Sequence, residues 1–401
     1  MAGRRVHQVL ATLGYGDAIG HEVLGIQRVL RRTGLESDIF VETVDPRLEH
    51  LTRDYRELVG QSGPDTLLIH HFSIGSRASR IAYALPDRMA LVYHNITPPE
   101  HFLGVHGLLV QQCFAGRREL TAYVDRTVLA LGDSEFNRQE LVDLGFRATG
   151  VLPVVPDFTH LEGPPDDRIT RAYDDGWVNI LFVGRVIPNK RIEDLIRFFH
   201  AYKTGFNHRA RLLLVGSFGG FEAYFAMLQR YIASEGIRDV HFSGQISNAE
   251  LCAYYDIADV FLCASEHEGF CVPLVEAFHA GVPVLAYAST AVPATLDGAG
   301  LLYTAKAPLA VAALIDEVVE NDAVRDAVVE GQDRALDRLR NRDFGRTLLG
   351  FVEQAFVAPV PATPAVAPDF WTQYRLGEWL ADVRVERPSA FQALPAPPAA
   401  R

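Results

Sequence analysis

The sequence lacks three features that would place it in a specialised class of protein. It has no apolar run near the roughly 20 residues that span a bilayer, and glycines break its start too soon for a signal peptide. Its four cysteines stand singly, without a C-x-x-C pair, which indicates a reducing cytoplasm and argues against a thiolate metal site. Its net charge of -12 excludes a general nucleic-acid binder, because such proteins need a basic face for phosphates.

Lysine is also nearly absent, since three of the 38 basic residues are lysine and the others are arginine. Arginine has replaced lysine wherever either residue would serve, so a lysine that remains is marked as having a specific task. Lys190 follows a buried strand and is expected to be functional. Lys203 stands near a predicted helix end and is expected to be ordinary.

The remaining composition is that of a globular protein, with 48% hydrophobic and 22% charged residues. A chain of 401 residues exceeds what one core usually supports, so we expect two domains. Short β-branched runs alternate with amphipathic stretches in both halves, which predicts βα units and parallel sheets. The predicted division is a first domain at 1–156, a linker at 157–176, a second domain at 177–357, a Pro/Ala linker at 358–368, and a helix with a tail at 369–401.

This division predicts an α/β protein with two Rossmann-like, doubly wound parallel sheets that face each other across a cleft. The segment FWTQYRLGEWLADV near the end has helical spacing, and we expect this helix to cross back and pack on the first domain. Open α/β sheets bind ligands outside the carboxyl ends of their strands. Residues that directly follow predicted strands are therefore the candidates for a functional site.

The most informative segment is SEHEGFCVPLVEAFHAGVP, at 265–283. It follows a predicted strand, and Pro273 and Gly281 are placed to begin and end a short helix. The backbone N–H groups at the start of that helix would form an anion site. Glu268 and Glu276 flank this site and can accept hydrogen bonds from sugar hydroxyls. Each acid alone would more simply be a surface or helix-dipole residue, and the pairing favours function.

A second constellation, NILFVGRVIPNKRIEDLI, brings two cations to the end of another strand. Arg185 and Lys190 follow that strand on a loop, where we expect them to face the cleft. Arginine can hold phosphate oxygens through two donors, whereas lysine supplies a compact charge.

A glycine-rich turn follows the first predicted strand. Gly14, Gly16 and Gly20 are spaced G-x-G-x-x-x-G, close to a dinucleotide-binding fingerprint but one residue too long. Glu42 ends a later strand and could act as the ribose acid of an NAD site. An NAD-dependent oxidoreductase therefore stays open as an alternative, as does a non-catalytic protein that binds a nucleotide sugar.

Histidines mark two strand ends in the first half. His94 and Asn95 stand where a strand gives way to a proline-rich loop, so we expect them to face the cleft. His70 and His71 flank another strand end and are expected to be mainly structural. Ser134 is expected to cap a helix.

These motifs resemble those of retaining glycosyltransferases of the GT-B architecture, in the family 4-like group. Glu268 to Glu276 fits that group's E-x7-E signature, and VGR-x4-K, ending at Lys190, matches its phosphate-binding loop. With the stretch between them, the resemblance covers about 180 residues of the second half. Cys271 departs from the pattern, since many members have glycine there.

The resemblance implies a role for each matching residue. Arg185 and Lys190 would bind the donor diphosphate, Glu276 the ribose, and Glu268 the hydroxyls of the transferred sugar. His94 would lie near the reacting carbon, and Glu268 and His94 are the implied catalytic residues. The other implied donor-side residues are Gly16, Gln245, Ile246, Gly269, Phe270, Cys271 and Val272, and the acceptor-side residues are Asp17 and Asn95.

The resemblance further implies transfer of a hexose-type sugar from a UDP- or GDP-linked donor to a hydroxyl group, with retention and without a bound metal or other cofactor. The acceptor is left open between a glycan, a lipid-linked intermediate, a protein and a small molecule. Arginine-rich helical stretches leave open a peripheral contact with the inner face of a membrane, although such stretches are more often solvated.

Overall fold

The computed structural model describes residues 4–14, 16, 18–154, 157–366 and 370. Thirteen strands lie in this part of the chain and form two sheets in which all neighbouring strands are parallel. The strands of the first sheet are β1 (Arg5–Leu13), β2 (Ile39–Val44), β3 (Arg53–Asp54), β4 (Thr66–Phe72), β5 (Arg88–Tyr93), β6 (Leu129–Gly132) and β7 (Thr149–Val151). Those of the second sheet are β8 (Val178–Val183), β9 (Ala210–Val215), β10 (Val240–Gly244), β11 (Val260–Cys263), β12 (Val284–Tyr287) and β13 (Leu301–Tyr303).

Fourteen α-helices cover the faces of these sheets in the described ranges. In the first half they are α1 (Ala18–Arg32), α2 (Leu58–Gln61), α3 (Arg77–Ala84), α4 (Gly107–Ala122) and α5 (Glu135–Asp143). In the second half they are α6 (Asp167–Tyr173), α7 (Ile192–Gly205), α8 (Glu222–Ser234), α9 (Asn248–Asp256), α10 (Val272–His279), α11 (Val292–Leu296), α12 (Pro308–Glu320), α13 (Asp322–Arg340) and α14 (Phe344–Val357).

The strand order makes both sheets doubly wound. The first sheet runs β3-β2-β1-β4-β5-β6-β7 and the second β10-β9-β8-β11-β12-β13. The order reverses between β1 and β4 and between β8 and β11, and such a reversal opens a crevice at the carboxyl ends of the strands. Every residue of β4 is buried, as expected for a parallel strand covered on both faces. The predicted fold of two facing parallel sheets is confirmed.

Helix α14 packs on the first sheet although it follows the second in sequence. Leu348, Phe351 and Val352 contact the strand residues Leu67 and Val92 on one face of that sheet. The predicted boundary assigned residues up to 357 to the second domain, and by its packing this last helix lies with the first. The predicted crossing helix at 369–401 lies outside the described residues except Phe370, which lies beside Tyr83 and Tyr123 of the first domain.

The predicted linker at 157–176 contains structure that belongs with the second domain. Helix α6 packs against α9, and the Asp166 N–H donates to the Ala249 carbonyl at 2.9 Å. The two domains also touch directly, since the Phe102 and Phe221 rings lie 5.9 Å apart.

Across the described residues, no helix is both long enough and apolar enough to cross a membrane.

Candidate active site

A cavity of about 380 Å³ lies between the carboxyl ends of the two sheets. It is the crevice that the two strand-order reversals create, and both domains line it. Its lining residues are Gly16, Ala18, Ile19, His21, Glu22, His94, Asp133, Val154, Asp157, His160, Lys190, Glu268, Gly269, Phe270, Cys271, Val272, Pro273 and Glu276.

The start of α10 forms one wall of this cavity. Pro273 lies in the first turn, where its missing N–H is not needed, and Gly281 follows the helix with φ 70°. Cys271 precedes the helix with φ 77° and ψ 69°, a left-handed conformation that favours glycine. This geometry gives a physical reason for glycine at the position in similar proteins. The first-turn amides border the cavity, as the sequence predicts.

Lys190 and Glu268 form an ion pair at the wall of the cavity. The Lys190 ammonium lies 2.6 Å and 2.7 Å from the two carboxylate oxygens of Glu268, and the side chains are 18% and 7% exposed. Burial alone would lower the pKa of Lys190, but the adjacent Glu268 carboxylate raises it to about 12. Lys190 is therefore charged throughout the working range of pH. The other two lysines serve the fold, since Lys203 and Lys306 bind Asp239 and Asp194.

Glu276 is held by two neighbours that the sequence did not single out. Its Oε1 lies 2.8 Å from His160 Nε2, and its Oε2 accepts a hydrogen bond from the Tyr255 hydroxyl at 2.9 Å. The hydrogen bond to Glu276 raises the pKa of His160. His160 comes from the predicted linker, so that segment contributes directly to the site.

The first domain contributes a cluster of three ionisable side chains. His94 Nδ1 lies 3.4 Å from Asp133 Oδ2 and 3.8 Å from Glu22 Oε2. The His94 and Glu22 side chains are 2% and 3% exposed. His94 thus lies where the sequence places it, at the end of β5 and facing the cavity.

A chain of hydrogen bonds holds the His94 ring from behind. Gln8 Nε2 donates to the Val23 carbonyl at 3.0 Å, which leaves Gln8 Oε1 as the acceptor for His71 Nε2 at 2.9 Å. His71 Nδ1 then lies 2.9 Å from His94 Nε2. His71 is thus structural, and the Ser134 side chain caps α5 by accepting from the Asn137 N–H, as predicted.

Several predicted residues lie outside the cavity. Arg185 Nη2 donates to the Gly219 carbonyl at 3.3 Å, and the guanidinium stands over the Phe221 ring. Asn95 instead joins the two domains. Its Nδ2 donates to Asn137 Oδ1 at 2.7 Å within the first domain, and its Oδ1 bonds the His267 ring of the second. Asp17 lies outside the described residues.

A second cavity of about 470 Å³ adjoins the first and shares Gly16, His21, His160 and Glu276 with it. Gln245 and Ile246 stand on the loop just before the helix α9 that lines this second cavity. Its remaining lining residues are Gly14, Gly20, Leu24, Leu48, Thr159, Val183, Asn248 and Leu251.

Two groups of three side chains have ligand atoms within 4.8 Å of one another in the described part of the chain. They are Cys263, Glu268 and Cys271, and Glu22, His94 and Asp133. Sequence spacing predicted neither group. The first already contains a cation, because Lys190 contacts both oxygens of Glu268. We assign neither group as a metal site, and metal independence stays a prediction.

Sequence patterns did not identify four residues of the site, namely Glu22, Asp133, His160 and Tyr255. Glu22 lies on α1 directly after the glycine turn, so its position beside that motif was an available signal. Asp133 similarly follows the end of β6. For His160 and Tyr255 the sequence carried no signal, since only the packing of α9 and the linker against α10 brings them to Glu276.

The part of this site that comes from the second domain lies within a known protein family. Residues 167–334 match the family of glycosyl transferases group 1. The matched range contains the Lys190–Glu268 pair and Glu276, so the resemblance to glycosyltransferases is confirmed.

Relatives and solved structures agree with this family match. The O-antigen chain mannosyltransferase B of Escherichia coli is 26% identical over 215 residues, 52% of this chain and 56% of the relative. The GDP-mannose:cellobiosyl-diphosphopolyprenol alpha-mannosyltransferase of Xanthomonas campestris is 34% identical over 108 residues, 26% of this chain and 28% of the relative. The chain thus spans about half or less of the length of these relatives.

Anabaena HepE, solved in complex with UDP-glucose, superposes with a TM-score of 0.68 at 17% identity. The superposition covers 87% of this chain and 99% of HepE. The chain has the GT-B fold, as the sequence predicts.

Proposed function

We propose that the protein is a retaining glycosyltransferase that moves a hexose-type sugar from a nucleotide-diphosphate donor to a hydroxyl acceptor. One observation carries this function. A buried cation, Lys190, and the first turn of α10 line the same interdomain cavity as the acids Glu268 and Glu276 and, from the other domain, His94.

In this proposal the second domain holds the donor. Lys190 and the α10 amides bind the diphosphate, Glu276 the ribose, and Glu268 the hydroxyls of the sugar. The adjoining cavity that Val183, Asn248 and Leu251 line has room for the nucleoside, beside Gln245 and Ile246. Arg185 would be a second diphosphate ligand, which requires its guanidinium to leave Gly219 when the donor binds.

The proposed reaction breaks the anomeric C–O bond to the diphosphate, whose electron pair stays on the leaving phosphate. Lys190 and the α10 amides stabilise the charge that develops there. The acceptor oxygen attacks the same face of the sugar, which gives retention, and the leaving phosphate oxygen takes the proton. His94 positions the sugar or the acceptor, and the two domains exclude water that would hydrolyse the donor. No metal ion has a step in this scheme.

The relatives support a place in bacterial glycan synthesis. Their names specify mannosyl transfer, in one case from GDP-mannose to a diphosphopolyprenol-linked acceptor. We propose a GDP- or UDP-linked sugar as donor and a glycan or lipid-linked hydroxyl as acceptor, with the enzyme at work in the cytoplasm or at the inner face of the membrane.

The structure gives no support to the alternative of an NAD-dependent oxidoreductase. That alternative needs Glu42 as a ribose acid, but Glu42 Oε2 accepts hydrogen bonds from Arg77 N and Ala78 N at 2.8 Å and 3.2 Å. It therefore satisfies the first amides of α3.

A donor screen that detects released nucleoside diphosphate tests the proposal. We expect release from a GDP- or UDP-sugar in the presence of a glycan or lipid-linked acceptor, and loss of release in Glu276→Ala. Thermal stabilisation by GDP or UDP but not by NAD should accompany it. Binding of NAD without binding of either nucleoside diphosphate would overturn the proposal.

A further inference from the structure

We propose that Glu22 works in its protonated form, as a hydrogen-bond donor to a hydroxyl oxygen of the substrate in the cavity. This inference rests on the proposed function, because it takes a sugar or acceptor hydroxyl as the ligand. It adds a positioning residue from the first domain to the donor site of the second.

The geometry places two carboxyl groups beside each other in a buried site. Glu22 and Asp133 approach the same nitrogen of His94, at 3.8 Å and 3.4 Å. One side-chain oxygen of each acid and this nitrogen all lie within 4.8 Å of one another. Ionising both of two carboxyl groups this close in a desolvated site is costly without a proton beside them, since the second charge meets both burial and repulsion. The cluster of Glu22, Asp133 and His94 therefore keeps a proton, and the proposal places it on Glu22.

The hydrogen-bond chain behind His94 determines which ring nitrogen of His94 faces Glu22 and Asp133. His71 Nε2 donates to Gln8 Oε1, and burial holds the pKa of His71 well below its usual range, so His71 is neutral. Its Nδ1 is then an acceptor, and His94 Nε2 donates to it. Nδ1 is therefore the His94 atom that faces the two acids.

Glu22 is the acid of the cluster that has a carboxyl oxygen available for a ligand. It is 4% exposed and lines the cavity, and its Oε1 has no hydrogen-bond partner among the described residues. Asp133 Oδ1, in contrast, accepts from Asn137 Nδ2 at 2.7 Å. A buried carboxyl oxygen without a partner costs stability, and a substrate hydroxyl in the cavity would satisfy it.

The charges around Glu22 agree with a neutral side chain. Burial raises the pKa of Glu22, His94 lowers it and Asp133 raises it, and the net value is about 8. Besides His94 and Asp133, the described ionisable groups that line the cavity are His21 on its own helix, Asp157 and His160 from the linker, and Lys190, Glu268, Cys271 and Glu276 from the second domain. The diphosphate of a bound donor would add negative charge and favour the protonated form.

This proposal predicts that turnover falls as the pH rises through about 8, since Glu22 then loses the proton that it donates. The decisive pair of variants is Glu22→Gln and Glu22→Ala. The amide of Gln keeps an N–H donor at all pH values, so we expect Glu22→Gln to stay within about threefold of wild type and to lose the alkaline decline. Glu22→Ala should lose about tenfold or more.

The control is Glu235→Gln, which changes an exposed glutamate and should keep the wild-type pH profile. Donor hydrolysis without acceptor distinguishes the two sources of the hydroxyl. A loss in Glu22→Ala for hydrolysis and transfer alike assigns the hydroxyl to the donor sugar, and a loss for transfer alone assigns it to the acceptor. The proposal is wrong if Glu22→Gln is as inactive as Glu22→Ala. It is also wrong if wild-type turnover requires Mn²⁺ and Glu22→Gln abolishes the response to Mn²⁺, because Glu22 would then be a metal ligand.

A second measurement keeps this proposal separate from the proposed function. Infrared difference spectra during a pH titration report the protonated carboxyl of Glu22 directly, with the Glu22→Gln variant identifying the band. We expect that band to disappear near pH 8. A band that disappears near pH 4.5 would contradict the proposal even if no sugar donor were ever found, and a band near pH 8 would support it in the same case.

Discussion

At the residue scale, the Lys190–Glu268 pair couples binding to stability. Both side chains are largely buried, and each supplies the counter-charge of the other. Breaking a buried pair on one side is strongly destabilising, because the remaining charge has no partner. We therefore predict that Lys190→Ala weakens GDP or UDP binding and lowers the free energy of unfolding by about 3 kcal/mol. Calorimetric titration and urea unfolding measure the two effects.

The double variant Lys190→Met/Glu268→Gln separates these effects, because it removes both charges together. It should recover most of the lost stability but none of the nucleotide binding. A Lys190→Ala variant as stable as wild type would show that water already screens the pair. Normal nucleotide affinity in either variant would remove Lys190 from the donor site.

A second prediction at this scale concerns His160. Its hydrogen bond to Glu276 raises its pKa, so the folded state favours the charged imidazole. This stabilisation is complete below the ordinary pKa of about 6.5 and is lost as the pH rises through the raised value of the folded state. Melting temperature should thus fall more steeply above pH 6.5 in the wild type than in His160→Gln. If the melting temperatures of the two proteins depend on pH in the same way, the His160–Glu276 interaction does not stabilise the fold.

At the scale of elements, the sequence predicts the parts of the site that lie within one βα unit. The strand β11, the Gly269 turn and helix α10 follow from apolar runs and Pro and Gly positions, so Glu268 and Glu276 were located correctly. The orientation of Arg185 could not be predicted, because Phe221 and Gly219, which hold it, come from a different loop. The local sequence pattern predicts the backbone position of a residue, whereas tertiary packing determines the orientation of its side chain.

Helix α14 shows the same limit on a larger segment. The sequence places this segment at the end of the predicted second domain, at 177–357, and nothing in it identifies the sheet on which the helix packs. Its buried Leu348, 1% exposed, lies against the strands of the first sheet. We predict that Leu348→Ala lowers the free energy of unfolding by about 3 kcal/mol, from lost burial and the cavity that remains.

Urea unfolding followed by circular dichroism measures this loss. Leu309→Ala is the matched control, because Leu309 lies on α12 with 69% of its surface exposed, and its cost should stay within about 0.5 kcal/mol. Equal effects of the two substitutions would mean that α14 contributes no stability through its contact with the first sheet.

At the scale of the whole molecule, the site exists only while the two domains stay together. Lys190, Glu268 and Glu276 come from one domain, and Glu22, His94 and Asp133 from the other. A direct contact maintains this arrangement. The His267 ring of the second domain bonds Asn95 of the first, whose Nδ2 donates to Asn137 at 2.7 Å.

This contact reaches the cluster around His94, because Asn137 Nδ2 donates to Asp133 Oδ1 at 2.7 Å. It also needs the close approach that Gly269 permits, since a Cβ there would lie 2.9 Å from the Cβ of Asn95. The second domain therefore helps to orient an acid of the first. No motif within one domain could have revealed this, since the chain positions are more than 130 residues apart.

Loss of this contact should loosen the domains without unfolding either. Burial lowers the pKa of His267 to about 3, so the ring is neutral and its hydrogen bond to Asn95 does not depend on pH in the working range. We predict that His267→Leu keeps the wild-type circular dichroism, increases the radius of gyration in small-angle scattering and raises the donor KM about two- to tenfold, the worth of one hydrogen bond. His208→Leu, on an exposed histidine of the same domain, should change none of these values. A His267→Leu protein with unchanged scattering and unchanged KM would mean that the apolar contact of Phe102 with Phe221 is enough to hold the domains together.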